Sequence, residues 1–65
     1  MRLTAQSAAE RFNFGHECAV DAVIEYSKGN DDDGDDFRDL ALMTAKELQS
    51  AGYAEYSEAI EGVIR

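Results

Sequence analysis

The apolar residues of this chain follow a helical period, which limits the folds open to it. It contains no proline, and no stretch alternates apolar and polar residues at the period of two that a half-buried strand requires. Apolar residues instead recur three and four positions apart along the sequence, which places them on one face of successive helices. Sixty-five residues with few large apolar side chains can bury only one small core. The sequence therefore predicts an all-α fold, a small bundle of three to four short helices, in a single domain over 1–65.

The first helical region is predicted to begin after Thr4, a good N-cap residue, and to end at Lys28 and Gly29. Its apolar face keeps its phase through His16, which we expect to be partly buried there. Residues 13–15 include a glycine, which costs about 1 kcal/mol inside a helix, and an asparagine that could cap a new one. One long helix over 4–28 and two helices with a break at 13–15 therefore remain equal alternatives.

The second half of the chain is predicted to hold two more helices after a solvated acidic loop at 29–36. That segment contains only glycine, asparagine and aspartate, none of which favours burial. Asp35 or Asp36 would cap the next helix, which Gly52 ends, and the last helix reaches the C-terminus. Because the turn at Gly52 is short, we expect these two helices to form a C-terminal antiparallel helical hairpin.

Metal, cofactor and catalytic signatures are weak in this sequence. A calcium loop of EF-hand type needs ligands at its ninth and twelfth positions, which Phe37 and Leu40 would occupy here. His16 and Cys18 are too few ligands for a zinc site. A core this small also cannot build a pocket that shifts the pKa of a catalytic carboxyl. We therefore predict no metal, no cofactor and no enzymatic activity; weak divalent-ion binding by 31–36 is the least favoured alternative.

The charge balance indicates the kind of partner. Fourteen acidic residues against six basic ones give a net charge of −8. Binding to nucleic acid or to an anionic membrane requires clustered lysine and arginine, so both are predicted to be absent and a basic protein surface is favoured. The single cysteine, Cys18, fits a reducing compartment, and the chain shows neither a signal peptide nor a run of apolar residues that could span a membrane. The predicted localisation is cytoplasmic.

The carboxylates themselves form the candidate site. Four of them share one side of the first helical region, and those at 17, 21 and 25 follow one another at about 6 Å along a helix axis. Six more cluster in the aspartate run. Rows of carboxylates at such spacing can stand in for a phosphate backbone, whereas the plain alternative is a surface that only keeps the protein soluble. The predicted partner-binding residues are Glu10, Glu17, Asp21, Glu25, Asp31, Asp32, Asp33, Asp35, Asp36 and Asp39.

Two functions of different kinds follow. The first is an acidic inhibitor that mimics nucleic acid and blocks a nucleic-acid-binding protein, since anti-restriction, anti-CRISPR and polymerase-inhibiting proteins of phages and mobile elements share this size and charge. The second is a helical interaction or regulatory module that forms a homodimer through exposed aromatic residues. The aromatic residues expected to exceed what the core can bury are Phe12, Phe14, Tyr26, Tyr53 and Tyr56.

Overall fold

A computed structural model of the chain describes residues 3–65 and shows three helices. They are α1 (Ala5–Ser27), α2 (Asp31–Ser50) and α3 (Ala54–Ile64), and the described residues include no strand. The predicted all-α class is confirmed, and the number of helices is three. In this described range, no helix is both long and apolar enough to cross a lipid bilayer. The bundle is a narrow rod with extents of 37 × 16 × 14 Å.

α1 is continuous, which decides between the two alternatives for residues 13–15. It begins at the predicted N-cap, where the Thr4 side chain accepts a hydrogen bond from the Ser7 amide at 3.1 Å. Gly15 lies in the middle of the helix and is buried against the other two helices. Its small size is therefore used for packing and does not break the helix.

Both connections end a helix with a glycine in the left-handed region. Gly29 follows α1 with φ of 84°, and Gly52 follows α2 with φ of 93°. After α1, the Asn30 amide donates to the Glu25 carbonyl at 2.9 Å, and an equivalent bond closes α2. This arrangement satisfies carbonyl groups that the last helical turn would otherwise leave unpaired. The two predicted glycine stops are thus confirmed.

The predicted loop over 29–36 is wrong for most of its length. α2 begins at Asp31, with Asn30 in the N-cap position, so neither Asp35 nor Asp36 caps a helix. Aspartates in the first turn face the positive end of the helix dipole, which stabilises them there. A segment that contains nothing apolar can therefore be helical, provided that some other feature fixes its position against the neighbouring helix.

Small residues allow α1 and α2 to pack closely as an antiparallel pair. Gly15 lies beside Thr44, and Tyr26, near the end of α1, lies on Gly34, near the start of α2. The fully or almost fully buried residues of this pair are mostly small: Ala8, Gly15, Cys18, Ala19, Ala22, Gly34, Ala41, Thr44, Ala45 and Leu48. At Gly15 even one added methyl group has no room, because a Cβ there would lie 2.7 Å from Ile60 Cδ1 and 2.8 Å from Thr44 Cγ2.

α3 covers one end of this pair and contacts both helices. Its first turns bring Tyr56 onto Phe12, with ring centroids 4.7 Å apart, and Tyr53 beside Tyr56 at 5.9 Å. The Tyr53 hydroxyl also donates to the Leu3 carbonyl at 3.2 Å. Because α3 packs against α1 as well as α2, the core is a three-helix unit, centred on the fully buried Ile60 and on Leu48 of α2.

The expectation that His16 is partly buried is wrong. His16 is exposed, and its ring lies beside that of Phe12 with centroids 5.6 Å apart. The buried face of α1 is rotated by about one residue, so that Gly15 and Ala19 face the interior. The cause is that α2 packs against the face of α1 that carries its smallest residues, and not against the face that carries its larger ones.

Substituting Gly15 by alanine should destabilise the fold, although alanine is the better helix former. We expect a loss of up to about 2 kcal/mol, because overpacking a tight core costs about 1–3 kcal/mol and the helix preference returns only about 1 kcal/mol. Gly62→Ala is the matched control: it is also helical, but an added Cβ meets nothing within 4 Å, so we expect stabilisation by about 0.5–1 kcal/mol. Urea unfolding of both variants measures this, and equal shifts of one sign would contradict the close contact.

Candidate functional site: an acidic two-helix arm

Almost all of the net charge lies on one part of the rod. Ile60 lies level with Gly15, and α3 ends four residues later, about one helical turn further on. The chain from 17 to 40, which we call the acidic arm, therefore projects mostly beyond α3. It carries nine acidic and two basic residues, a net charge of −7 out of −8 for the whole chain. The remaining part of the protein is close to neutral.

The tip of the arm is the turn between α1 and α2. The Glu25 carboxylate accepts a hydrogen bond from the Asn30 side-chain amide at 2.8 Å and forms an ion pair with Lys28 at 3.7 Å. Glu25 thus ties the turn to the end of α1. This predicted binding residue has a structural partner, so part of its charge is already neutralised within the protein.

The start of α2 is held against α1 by a tyrosine and a glycine. The Tyr26 ring lies over Gly34 so closely that an added Cβ would be 2.8 Å from it, and the Tyr26 hydroxyl donates to the Asp35 carboxylate. This hydrogen bond is the main cause that raises the pKa of Tyr26, with smaller contributions from desolvation and the negative charge of Asp35. The contact explains how an otherwise polar segment is fixed in place.

The predicted carboxylates differ in where they lie and in what they contact. Glu10 lies on α1 outside the arm, whereas the rest belong to it. Asp21 and Glu25 are half-buried and the others are exposed. Within residues 3–65, Glu25 is the one predicted site residue that forms an ion pair; the other pairs are Arg11 with Glu47 and Arg65 with Glu61. The structure thus gathers carboxylates from two separate stretches of sequence into one densely negative end.

Divalent-ion binding has no geometric support in the part of the chain that is described. No group of three or more histidine, cysteine, aspartate or glutamate side chains there is arranged to hold a metal ion. The helical backbone of 31–36 is the reason, because it points successive aspartates in different directions, whereas a calcium loop wraps its ligands around a centre.

The exposed aliphatic residues are the surface feature that the sequence did not predict. Of the five aromatic residues expected to be surplus, four are half-buried and only Phe14 is exposed, at 52%. The other large apolar residues at the surface are aliphatic: Val20, Val23, Ile24, Leu40 and Met43. Phe14, Leu40 and Met43 are out of phase with the buried faces of their helices. Their positions around the helices could have indicated this exposure from the sequence, but only once the residues that face the interior were known.

Cys18 is buried at the interface of α1 and α2, and its thiol is held in the protonated form. Burial is the main cause that raises its pKa, and the negative charges of Asp21 and Glu17 add to the effect. A thiol in such surroundings is a poor nucleophile, because the reactive species is the thiolate. Cys18 therefore serves as a small core residue.

Comparison of the chain with protein families, with curated proteins and with solved structures finds no match.

The charge of the arm should make stability depend on salt. Mutual repulsion opposes the compact fold, and it is screened as the Debye length falls from about 30 Å at 0.01 M to about 8 Å at 0.15 M salt. We expect the melting temperature to rise by several degrees over this range. Thermal unfolding followed by circular dichroism measures it, and a melting temperature that falls with sodium chloride would mean that attractive pairs outweigh the repulsion.

Cys18 should react slowly in the folded protein. At pH 8 we expect modification by a disulfide reagent to be at least about tenfold slower than in denaturing urea, because the folded state shields the thiol and disfavours its thiolate. The raised pKa also means that the protonated thiol contributes stability below the pKa of the unfolded chain, and that this contribution is lost as pH rises through the folded pKa. Equal rates in both states would show that Cys18 is accessible.

Proposed function

We propose that this chain is a non-enzymatic binding protein whose acidic arm docks on the basic surface of a nucleic-acid-binding protein. In this proposal the carboxylates occupy positions that phosphates would otherwise take, and the outcome for the partner is inhibition. The observation that carries the proposal is the segregation of charge, with −7 of the −8 net charge on residues 17–40. A surface that served solubility alone would not require the rest of the bundle to be nearly neutral.

The charge density of the arm supports this choice of partner. The α1 part of the arm, residues 17–27, is about 16 Å long, so the arm carries one net charge per about 2.3 Å of its length. Duplex DNA carries one charge per about 1.7 Å of axis. A groove that is built to neutralise a nucleic acid would therefore meet a similar field along the arm, and association would be steered by it.

The stiffness of the arm supports the same conclusion. Its carboxylates project from two packed helices, and the tip is fixed by the contact of Tyr26 with Gly34 and by the hydrogen bond of Asn30 to Glu25. Charges held in fixed positions lose little conformational entropy on binding, so more of the electrostatic attraction appears as affinity. An acidic tail without structure would not have this advantage.

The alternative, a module that dimerises through exposed aromatic residues, has less support. Phe12, Tyr53 and Tyr56 stack on one another within the bundle, and Tyr26 lies on Gly34. Phe14 alone of that set is exposed. Sedimentation at high protein concentration tests the alternative directly, since a monomer would exclude a stable homodimer.

A competition experiment tests the proposed partner class. The immobilised protein is incubated at low salt with an extract of the organism that encodes it, and bound proteins are eluted with duplex DNA. We expect a nucleic-acid-binding protein that DNA displaces, because both ligands would occupy one basic groove. If every recovered protein stays bound when DNA is added, the proposed mimicry of nucleic acid is wrong.

Neutralising the arm should weaken binding to the protein recovered in this way. Asp36→Asn with Asp39→Asn removes two exposed arm charges, and Glu55→Gln with Glu58→Gln removes two exposed charges from α3. We expect the arm variant to bind about tenfold more weakly, with a smaller salt dependence, and the α3 variant to stay within about twofold of the wild type. Titration at several salt concentrations measures both, and equal losses would assign the effect to net charge.

A further inference from the structure

The pair formed by α1 and α2 has one side that α3 does not cover. α3 lies on the side of Phe12, which stacks on Tyr56. Arg11 precedes Phe12 and so points about 100° away around the helix. Its guanidinium lies 3.1 Å from the Glu47 carboxylate, and the two side chains are 52% and 44% exposed. This ion pair joins α1 to α2 on their other side, which no element within residues 3–65 covers.

Three large apolar side chains lie along that side. Phe14 follows Arg11 by three residues, and Met43 and Leu40 precede Glu47 by four and seven, so the helical repeat carries them along the same side of the pair. Phe14 is 52% exposed, Met43 69% and Leu40 42%. We call the surface between these three residues the outer groove. It has the position that a fourth helix would take beside this pair.

Carboxylates border the outer groove on both helices. On α1, Glu10 precedes Phe14 by four residues and Glu17 follows it by three. On α2, Asp36 precedes Leu40 by four residues. All three carboxylates are exposed and form no ion pair with another described residue. The groove thus has an apolar centre and an acidic border.

These two properties together select the occupant. A second copy of the chain would bring the bordering carboxylates of two molecules, each with a net charge of −8, against one another. A partner surface that binds only phosphates would give the exposed Phe14 and Met43 no apolar contact. A helix with apolar residues at i, i+3, i+4 and i+7 and with lysine or arginine beside them matches both the centre and the border, and packs into the groove between two helices at ordinary distances.

We propose that the outer groove binds a basic amphipathic helix of the partner protein. This inference rests on the proposed function and makes it more specific, because it assigns the apolar contact to Phe14, Leu40 and Met43 and the charged contacts to the carboxylates around them. The buried apolar contact sets the lifetime of the complex, and the carboxylates set its orientation and its rate of formation.

Two labelled peptides test this proposal. Both contain the same leucines and lysines over about five helical turns; in one the leucines follow the helical repeat, and in the other the order is permuted so that no apolar face forms. Affinities are measured by fluorescence anisotropy at about 0.15 M salt. We expect the wild-type protein to bind the amphipathic peptide at least about tenfold more tightly than the permuted one.

Paired variants locate the contact. Phe14→Ser with Met43→Ser should lower the affinity for the amphipathic peptide to that for the permuted one. Val20→Ser with Val23→Ser removes two exposed apolar residues that do not border the outer groove and should leave the affinity for the amphipathic peptide within about twofold. Circular dichroism confirms that both variants remain helical.

The remaining outcomes separate this inference from the proposed function. If both peptides bind equally and an Asp32→Asn with Asp39→Asn variant, which leaves the border of the groove intact, weakens both, the acidic arm is the binding surface and the outer groove is not. If neither peptide binds even at low salt, both proposals are overturned. If the wild-type protein is a homodimer and the Phe14→Ser with Met43→Ser variant is a monomer, a second copy of the chain occupies the groove.

Discussion

The close approach of α1 to α2 determines how the other parts of the bundle are arranged. Gly15, Thr44 and Ile60 meet at a point where not even a methyl group could be added, and alanines continue the contact along both helices. Small side chains lose little conformational entropy when they are buried, which suits a chain too short to assemble a large core. Because these small residues pack densely, dispersion between them stabilises a fold that can bury only a limited apolar area.

The small number of large apolar residues also explains why the charged part of the bundle is separate from the core. α3 supplies Ile60, one of the two large side chains that are fully buried, and covers only one end of the pair, leaving the other end as two helices whose facing residues are small. Repulsion is lowest where carboxylates are most exposed to water, so the thin arm is the least costly place for them. The first turn of α2 also gains from its aspartates through the helix dipole. The acidic surface is therefore compatible with the fold because it lies outside the packed end.

Segment 31–36 and His16 depart from what the sequence predicts for the same physical reason. Segment 31–36 looks like a loop because it has nothing to bury, yet Tyr26 lies on Gly34 and fixes it as helix. His16 looks buried because it continues the spacing of the larger apolar residues, yet α2 approaches on the side of Gly15. In both cases a glycine determines the contact by its lack of a side chain, and hydrophobic periodicity gives glycine no weight. The prediction that Phe12, Tyr53 and Tyr56 exceed what the core can bury was wrong for a related reason, because their stacking depends on where α3 crosses Phe12.

Local sequence is enough to specify the helical class, the start of α1 at Thr4, the glycine stops at Gly29 and Gly52, and the excess of carboxylates. These properties depend on local backbone preferences and on composition, which neighbouring residues are enough to specify. Packing between the helices, in contrast, is what makes α1 run unbroken, brings two separate acidic stretches into one arm, and leaves Phe14, Leu40 and Met43 on an open side of the bundle. Those outcomes depend on how closely helices distant in sequence can approach, and that distance is set by the packing of all three helices together.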